Sequence, residues 1–222
     1  MKGQYFIIGG GGTAKDVVAG LRGGDKSVAG VIVPDNEREQ VSKWFGGRIL
    51  SDDEFYKLVK DNSEEKISVV VAISNNDIRK KIVDNLLQFS NIVFPIVYLG
   101  NEEDGVVMGK KSLGEVVGRG SIIYPGVLIN EMASIGEFVL INYGVYLPHD
   151  VVVGDFSVIE INASIGGGVE IGKKVTVAEG SVILPGSKIG DNAIVGLGAV
   201  VMRNVPSGAT VLGNPAKVVF KR

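Results

Sequence analysis

From Val117 to Val201 every sixth residue is aliphatic: Val117, Ile123, Ile129, Ile135, Ile141, Leu147, Val153, Ile159, Ile165, Ile171, Val177, Ile183, Ile189, Val195 and Val201. Four residues after each of the first fourteen stands a small or β-branched residue, from Ser121, Val127, Ala133 and Val139 on to Ala199. A longer period overlies this one, with Val117-Gly118, Ile135-Gly136, Val153-Gly154, Ile171-Gly172 and Ile189-Gly190 recurring every eighteen residues. Six residues make one short strand and a corner, and three strands close one turn of a triangular prism. No helix or hairpin repeats every six residues, so the pattern predicts a parallel β-helix of hexapeptide repeats. Five turns stacked at about 4.8 Å give a prism roughly 24 Å tall. Nearly all of these residues are core, and chemistry is to be sought where the repeat is interrupted.

The first hundred residues follow another pattern. Gln4–Ile8 reads as a buried strand, followed by Gly9-Gly10-Gly11-Gly12-Thr13-Ala14 and a helix over Lys15–Leu21. Val28–Val33 is a second strand, ending at Pro34-Asp35-Asn36. A helix over Asp52–Lys60, with Ser51 as N-cap, and a third strand over Ile67–Ile73 come next. Asn76–Phe89 reads as a helix with Ile78, Ile82, Val83, Leu86 and Leu87 on one face, and Ile92–Val97 as a fourth strand. Strands alternating with helices predict a small parallel, Rossmann-like α/β sheet over 1–98, with the β-helix over 99–222. The charged, Gly-rich stretch Gly100–Lys111 reads as the junction.

Composition adds bounds. A net charge of −2 with no basic stripe argues against nucleic acid. No cysteine is present, which excludes a disulfide framework and thiolate chemistry and fits a reducing cytoplasm. No signal peptide or membrane span is expected.

Two places carry candidate chemistry. Gly9-x-Gly11-x-x-Ala14 lies between a strand and a helix, where glycines let a phosphate approach the backbone and the helix N-terminus offers free N–H groups. Four glycines also fit a plain tight turn. Asp35, at the end of the second strand, stands where an acid commonly meets a ribose. Fewer than a hundred residues supply one nucleotide-binding half, which suits the mononucleotide end of a ligand better than NAD. The second place is the single histidine, His149, followed by Asp150. It stands two residues past inward Leu147 and should project from the wall of the prism. An isolated His-Asp pair is ordinarily solvated surface. The chemical alternative is a general base oriented by a carboxylate. One histidine also rules out a triple-histidine metal site.

Particular stretches make the chain resemble a known family. They are Ile7–Gly12, Val71-Ala72-Ile73-Ser74-Asn75-Asn76-Asp77-Ile78-Arg79, Ile141–Asp150 and the tail Gly213-Asn214-Pro215-Ala216-Lys217 after Asn204–Gly208. In these it is similar to the bacterial sugar acyltransferases that join a small Rossmann-like domain to a left-handed parallel β-helix. That family includes N-acetyltransferases of UDP-4-amino sugars in the bacillosamine pathway and sialic acid O-acetyltransferases. The resemblance implies an acetyl-CoA-dependent N-acetyltransferase of a nucleotide-linked amino sugar, metal-free and trimeric, with active sites between adjacent prisms. It implies His149 as base, aided by Asp150, and a nucleotide-sugar site at Gly9, Gly11, Gly12, Thr13, Asp35, Asn36 and Asn142. Acetyl-CoA would run along the outside of the prism near Val158, Gly167, Glu179 and Leu197, with Lys217 near its far end. The chain departs from many members at Thr13 and Val158, where they carry histidine, and at Val97-Tyr98-Leu99, where a His-Pro usually opens the β-helix. Two rival functions remain: O-acetylation of a sugar of the sialic acid type by the same residues, and a non-catalytic nucleotide-sugar binding module.

Overall fold

The computed structural model describes residues 4–23, 26–100 and 106–221. It divides into two compact units, Met1–Pro95 and Ile96–Arg222. The first holds a five-stranded parallel sheet in the order β3-β2-β1-β4-β5. Its strands are β1 (Gln4–Ile8), β2 (Ser27–Ile32), β3 (Ile49–Leu50), β4 (Ile67–Val71) and β5 (Ile92–Val93). Its principal helices are α1 (Gly12–Gly23), α2 (Arg38–Ser42), α3 (Asp52–Asp61) and α4 (Asn76–Leu86). Ser51 closes a capping box with Glu54, so α3 begins where the sequence placed it.

The expected strand Ile92–Val97 is two strands. Pro95 interrupts the run, and Ile92–Val93 pairs with β4 while Val97–Tyr98 pairs with Ile122–Ile123 of the second unit. The units therefore part at Pro95, three residues before the expected boundary. Part of the expected junction, 101–105, lies outside the described residues.

The second unit is a left-handed parallel β-helix with three walls. Strands such as Leu140–Ile141, Tyr146–Leu147 and Val152–Val153 lie on the first, second and third wall in succession, and each pairs with the strand eighteen residues on or back. All fifteen inward aliphatics are at most 5% exposed. The small residues four positions later are equally buried, so each coil adds two layers to the core. Where that residue is Ser121, Ser157 or Ser181 its hydroxyl is hydrogen-bonded. Ser157 Oγ donates to the Gly172 carbonyl at 2.7 Å and accepts from the Val175 N–H at 3.0 Å.

The corner three residues past most inward positions adopts a left-handed backbone, Met132 and Asn204 being the exceptions. Glycine fills it at several coils, but Phe138, Asp150, Phe156, Asn162, Lys174 and Asn192 do so with φ between 54° and 61°. The eighteen-residue glycine period has a different cause. At the corner between the third and first walls, a Cβ on Gly118 or Gly154 would lie 2.6 Å from the backbone of the next coil.

Candidate active site

The C-terminal ends of β1 and β4 open onto a cavity of about 780 Å³ within the first unit. It lies at the point where strand order reverses, the usual ligand crevice of such sheets. Gly9, Gly11, Gly12 and Thr13 all line it. The glycines divide by role. Gly9 has φ +127°, and a Cβ there would sit 2.7 Å from the Ala72 carbonyl oxygen, so the fold itself demands it. A Cβ on Gly11 or Gly12 would meet nothing within 4 Å. Those two positions are free for a ligand to approach at the start of α1. The opposite rim is the loop Ile73–Ser74, whose carbonyls accept hydrogen bonds from the buried Arg79 guanidinium at 2.6 and 2.9 Å.

Asp35 and Asn36 are not among the residues lining this cavity. The chain turns into a short 3-10 segment over Asp35–Glu37, and the Asp35 carboxylate faces solvent, paired with Arg38 at 3.0 Å. Glu37 lines the cavity instead, its Oε2 2.8 Å from where a Cβ of Gly10 would stand. An acid two residues farther along was the available signal, and the turn that swings it inward was not apparent in the sequence.

His149 and Asp150 occupy the corner between the second and third walls. Asp150 is the left-handed corner residue, φ 59°, which turns its carboxylate toward the neighbouring imidazole. Nδ1 of His149 and Oδ2 of Asp150 are 2.9 Å apart, and both side chains are about 60% exposed, at 62% and 60%. With Nδ1–H donating to the carboxylate, Nε2 carries the free lone pair. Gly167, on the next coil, lies against the ring: a Cβ there would come 2.7 Å from both Cε1 and Nε2. The Gly167 N–H makes no hydrogen bond among the described residues, while Gly168 N–H holds the His149 carbonyl at 3.0 Å. A base and an unspent backbone donor thus share one exposed corner.

The other expected cofactor positions separate. Glu179 and Leu197 stand one above the other on the corner between the first and second walls, and Leu197 is 70% exposed. Lys217 is exposed on the last strand, Lys217–Lys221, which pairs antiparallel with Ala209–Leu212. Val158 stands on the first wall. It is 1% exposed, on a wall whose outward positions Ile122 and Leu140 are also buried, so its side chain is not open to a ligand in this chain. Asn142 is engaged on the corner between the first and second walls, donating from Nδ2 to Glu160 at 2.8 Å and accepting from the Tyr143 N–H at 2.9 Å. Among the described residues no group of three or more His, Asp or Glu side chains could hold a metal ion. No helix among them is long and apolar enough to cross a membrane.

Residues 4–86 match the PglD N-terminal domain family, and residues 150–185 match the bacterial transferase hexapeptide repeat. No curated protein matches the sequence. Among solved structures, a histidine-to-asparagine variant of perosamine N-acetyltransferase from Caulobacter crescentus, in complex with CoA and GDP-perosamine, is 26% identical. It aligns over 99% of this chain and 98% of its own with a TM-score of 0.79. The acetyltransferase domain of PglB from Neisseria gonorrhoeae, in complex with acetyl coenzyme A, has the same fold at 24% identity. It covers 99% of this chain and 100% of its own, TM-score 0.79. Fold and corner together define a hexapeptide-repeat acetyltransferase. More narrowly, residues 4–86 match a PglD-type N-terminal domain, and the chain is similar over nearly its whole length to bacterial sugar acetyltransferases that join such a domain to a left-handed β-helix.

Proposed function

We propose that this protein transfers the acetyl group of acetyl-CoA to the amino group of a nucleotide-linked amino sugar, with His149 as general base. The observation that carries the reading is the His149–Asp150 pair at 2.9 Å, set against the unspent N–H of Gly167 on an exposed corner. A sugar ammonium cannot attack a thioester until it loses a proton. That first proton leaves to solvent; as the free amine attacks and the nitrogen–carbon bond forms, Nε2 of His149 takes a second proton from the nitrogen, and Asp150 holds the imidazole and stabilises its cation. The developing oxyanion accepts from a backbone N–H, a role in which the unspent N–H of Gly167 is proposed. Collapse expels the CoA thiolate, a good leaving group, and the histidine proton is returned to it. Glu179, Leu197 and Lys217 are proposed to bind CoA.

The cavity of the first unit is the proposed seat of the nucleotide diphosphate, over Gly11, Gly12 and Thr13, with Glu37 in the ribose role once assigned to Asp35. In this reading the active form is a homotrimer, supported by the family and by exposed apolar side chains such as Leu128, Tyr146, Leu197 and Met202. The enzyme works in the cytoplasm, where acetyl-CoA and nucleotide sugars are made. The test is a screen of UDP-, GDP- and dTDP-linked amino sugars and free sialic acid with acetyl-CoA, followed by thiol release. Turnover of an amino sugar with an N-acetyl product supports the reading. Turnover of sialic acid alone makes the enzyme an O-acetyltransferase, and binding without turnover makes it a binding module. Light scattering at micromolar concentration checks the trimer, and a monomeric mass contradicts it.

A further inference from the structure

The apolar run that marks α4 in the sequence does not all face the core. Arg79, Val83 and Leu86 are the buried residues of that helix. Ile78, Lys81, Ile82 and Asn85, spaced i, i+3, i+4, i+7, line the cavity as a second stripe, and Ile78 is 51% exposed there. Lys81 is the one basic side chain among the described residues lining the cavity. It makes no hydrogen bond or ion pair among them. The neighbouring cations are spent elsewhere: Lys80 pairs with Asp84 at 2.6 Å, and Lys15 lies over the Trp44 ring at 5.8 Å. Two carboxylates, Glu37 and Asp52, line the same space, and Glu37 leans on Gly10. An anionic ligand is repelled from that side and needs a cation on the other.

Resting on the cavity reading above, we propose that Lys81 is the counter-charge of the nucleotide diphosphate. The phosphates lie between the Gly11–Thr13 turn and the Lys81 ammonium. The hydroxyl- and N–H-rich nucleoside lies toward Glu37 and Asp52. Lys81 acts as a point charge on a flexible stem, which suits phosphate and leaves the acetyl-transfer corner untouched.

The experiment measures calorimetric binding of GDP and UDP, and of guanosine and uridine, to the full-length protein at low and high salt. The variants are Lys81→Gln, Lys81→Arg and, as control, Lys80→Gln. Lys81→Gln is expected to weaken the preferred diphosphate about tenfold and to flatten its salt dependence. The matching nucleoside should bind as before, Lys81→Arg should recover most of the loss, and Lys80→Gln should change nothing. In turnover, KM for the nucleotide sugar should rise with kcat unchanged. If Lys81→Gln binds the diphosphate as tightly as wild type, or weakens nucleoside and diphosphate alike, Lys81 is not the counter-charge although the cavity still binds nucleotide. If the wild-type protein binds neither diphosphate, the cavity assignment itself fails and this inference with it.

Discussion

In the β-helix a residue's role follows from its position in a six-residue count, whereas in the N-terminal unit it follows from individual contacts. Ile159 and Leu197 are both aliphatic, yet one is 0% and the other 70% exposed, because only Ile159 falls on the inward register. In the sheet unit, Gly9 and Gly11 are two residues apart in one loop. The first is fixed by the Ala72 carbonyl and the second faces open space. A repeat thus supplies a rigid surface on which a corner such as His149–Asp150 can be changed at little cost to the fold. The cavity has no such redundancy, and its glycine loop serves fold and ligand at once.

The largest contrast in stability should come from the repeat register. Ile159→Ala removes a fully buried inward side chain and should cost about 2–5 kcal/mol, while Leu197→Ala should stay within about 0.5 kcal/mol. Denaturant titration of both variants measures the difference, and equal losses would mean the register does not govern the core. Next comes the glycine pair. Gly9→Ala should destabilise the first unit by about 1–3 kcal/mol, whereas Gly11→Ala should leave its melting temperature nearly unchanged. Gly11→Val should instead raise KM for the nucleotide sugar with little change in kcat, since it fills ligand space without straining the backbone.

The smallest effect concerns the charged corner between the third and first walls. Burial pushes the Asp155 carboxyl up, but the Lys173 hydrogen bond, the Glu137 N–H and the Lys173 charge outweigh it and hold the group below its ordinary value. A carboxyl depressed on folding adds stability that is full above the ordinary carboxylate range and is lost as pH falls toward the lowered value. Asp155→Asn should therefore be less stable than wild type at neutral pH, and the gap should narrow below about pH 4. Thermal melts across that range check it, and a gap that widens on acidification would reverse the sign argued here.

The β-helix was apparent in the sequence because its period is unbroken, and His149 because it is the only histidine, at a known distance from an inward residue. The left-handed geometry of Asp150 was not apparent, since glycine fills the same corner on other coils and an acid there carries no separate signal. In the N-terminal unit the long elements were readable and the short ones were not. Ile49–Leu50 is a strand of two residues, too brief for any alternation. Pro95 parts Ile92–Val93 from Val97–Tyr98, yet hydrophobicity runs straight through it. Along α4 the apolar residues form two stripes, one packed and one facing a cavity, and a single sequence pattern cannot separate them. Val158 reads as outer wall by register, and its burial depends on tertiary packing that no repeat encodes.

The central claim, that the corner at His149 performs the chemistry, is tested most directly by His149→Asn assayed on the substrate found in the screen. A positioned base contributes about 10² to 10⁴ in rate. The account predicts a fall in kcat within that range, with acetyl-CoA affinity and melting temperature unchanged, because His149 is exposed and away from the inward register. Asp150→Asn should cost less, since asparagine tolerates the left-handed corner and the imidazole stays in place. Full activity in His149→Asn would contradict the mechanism even with the fold intact.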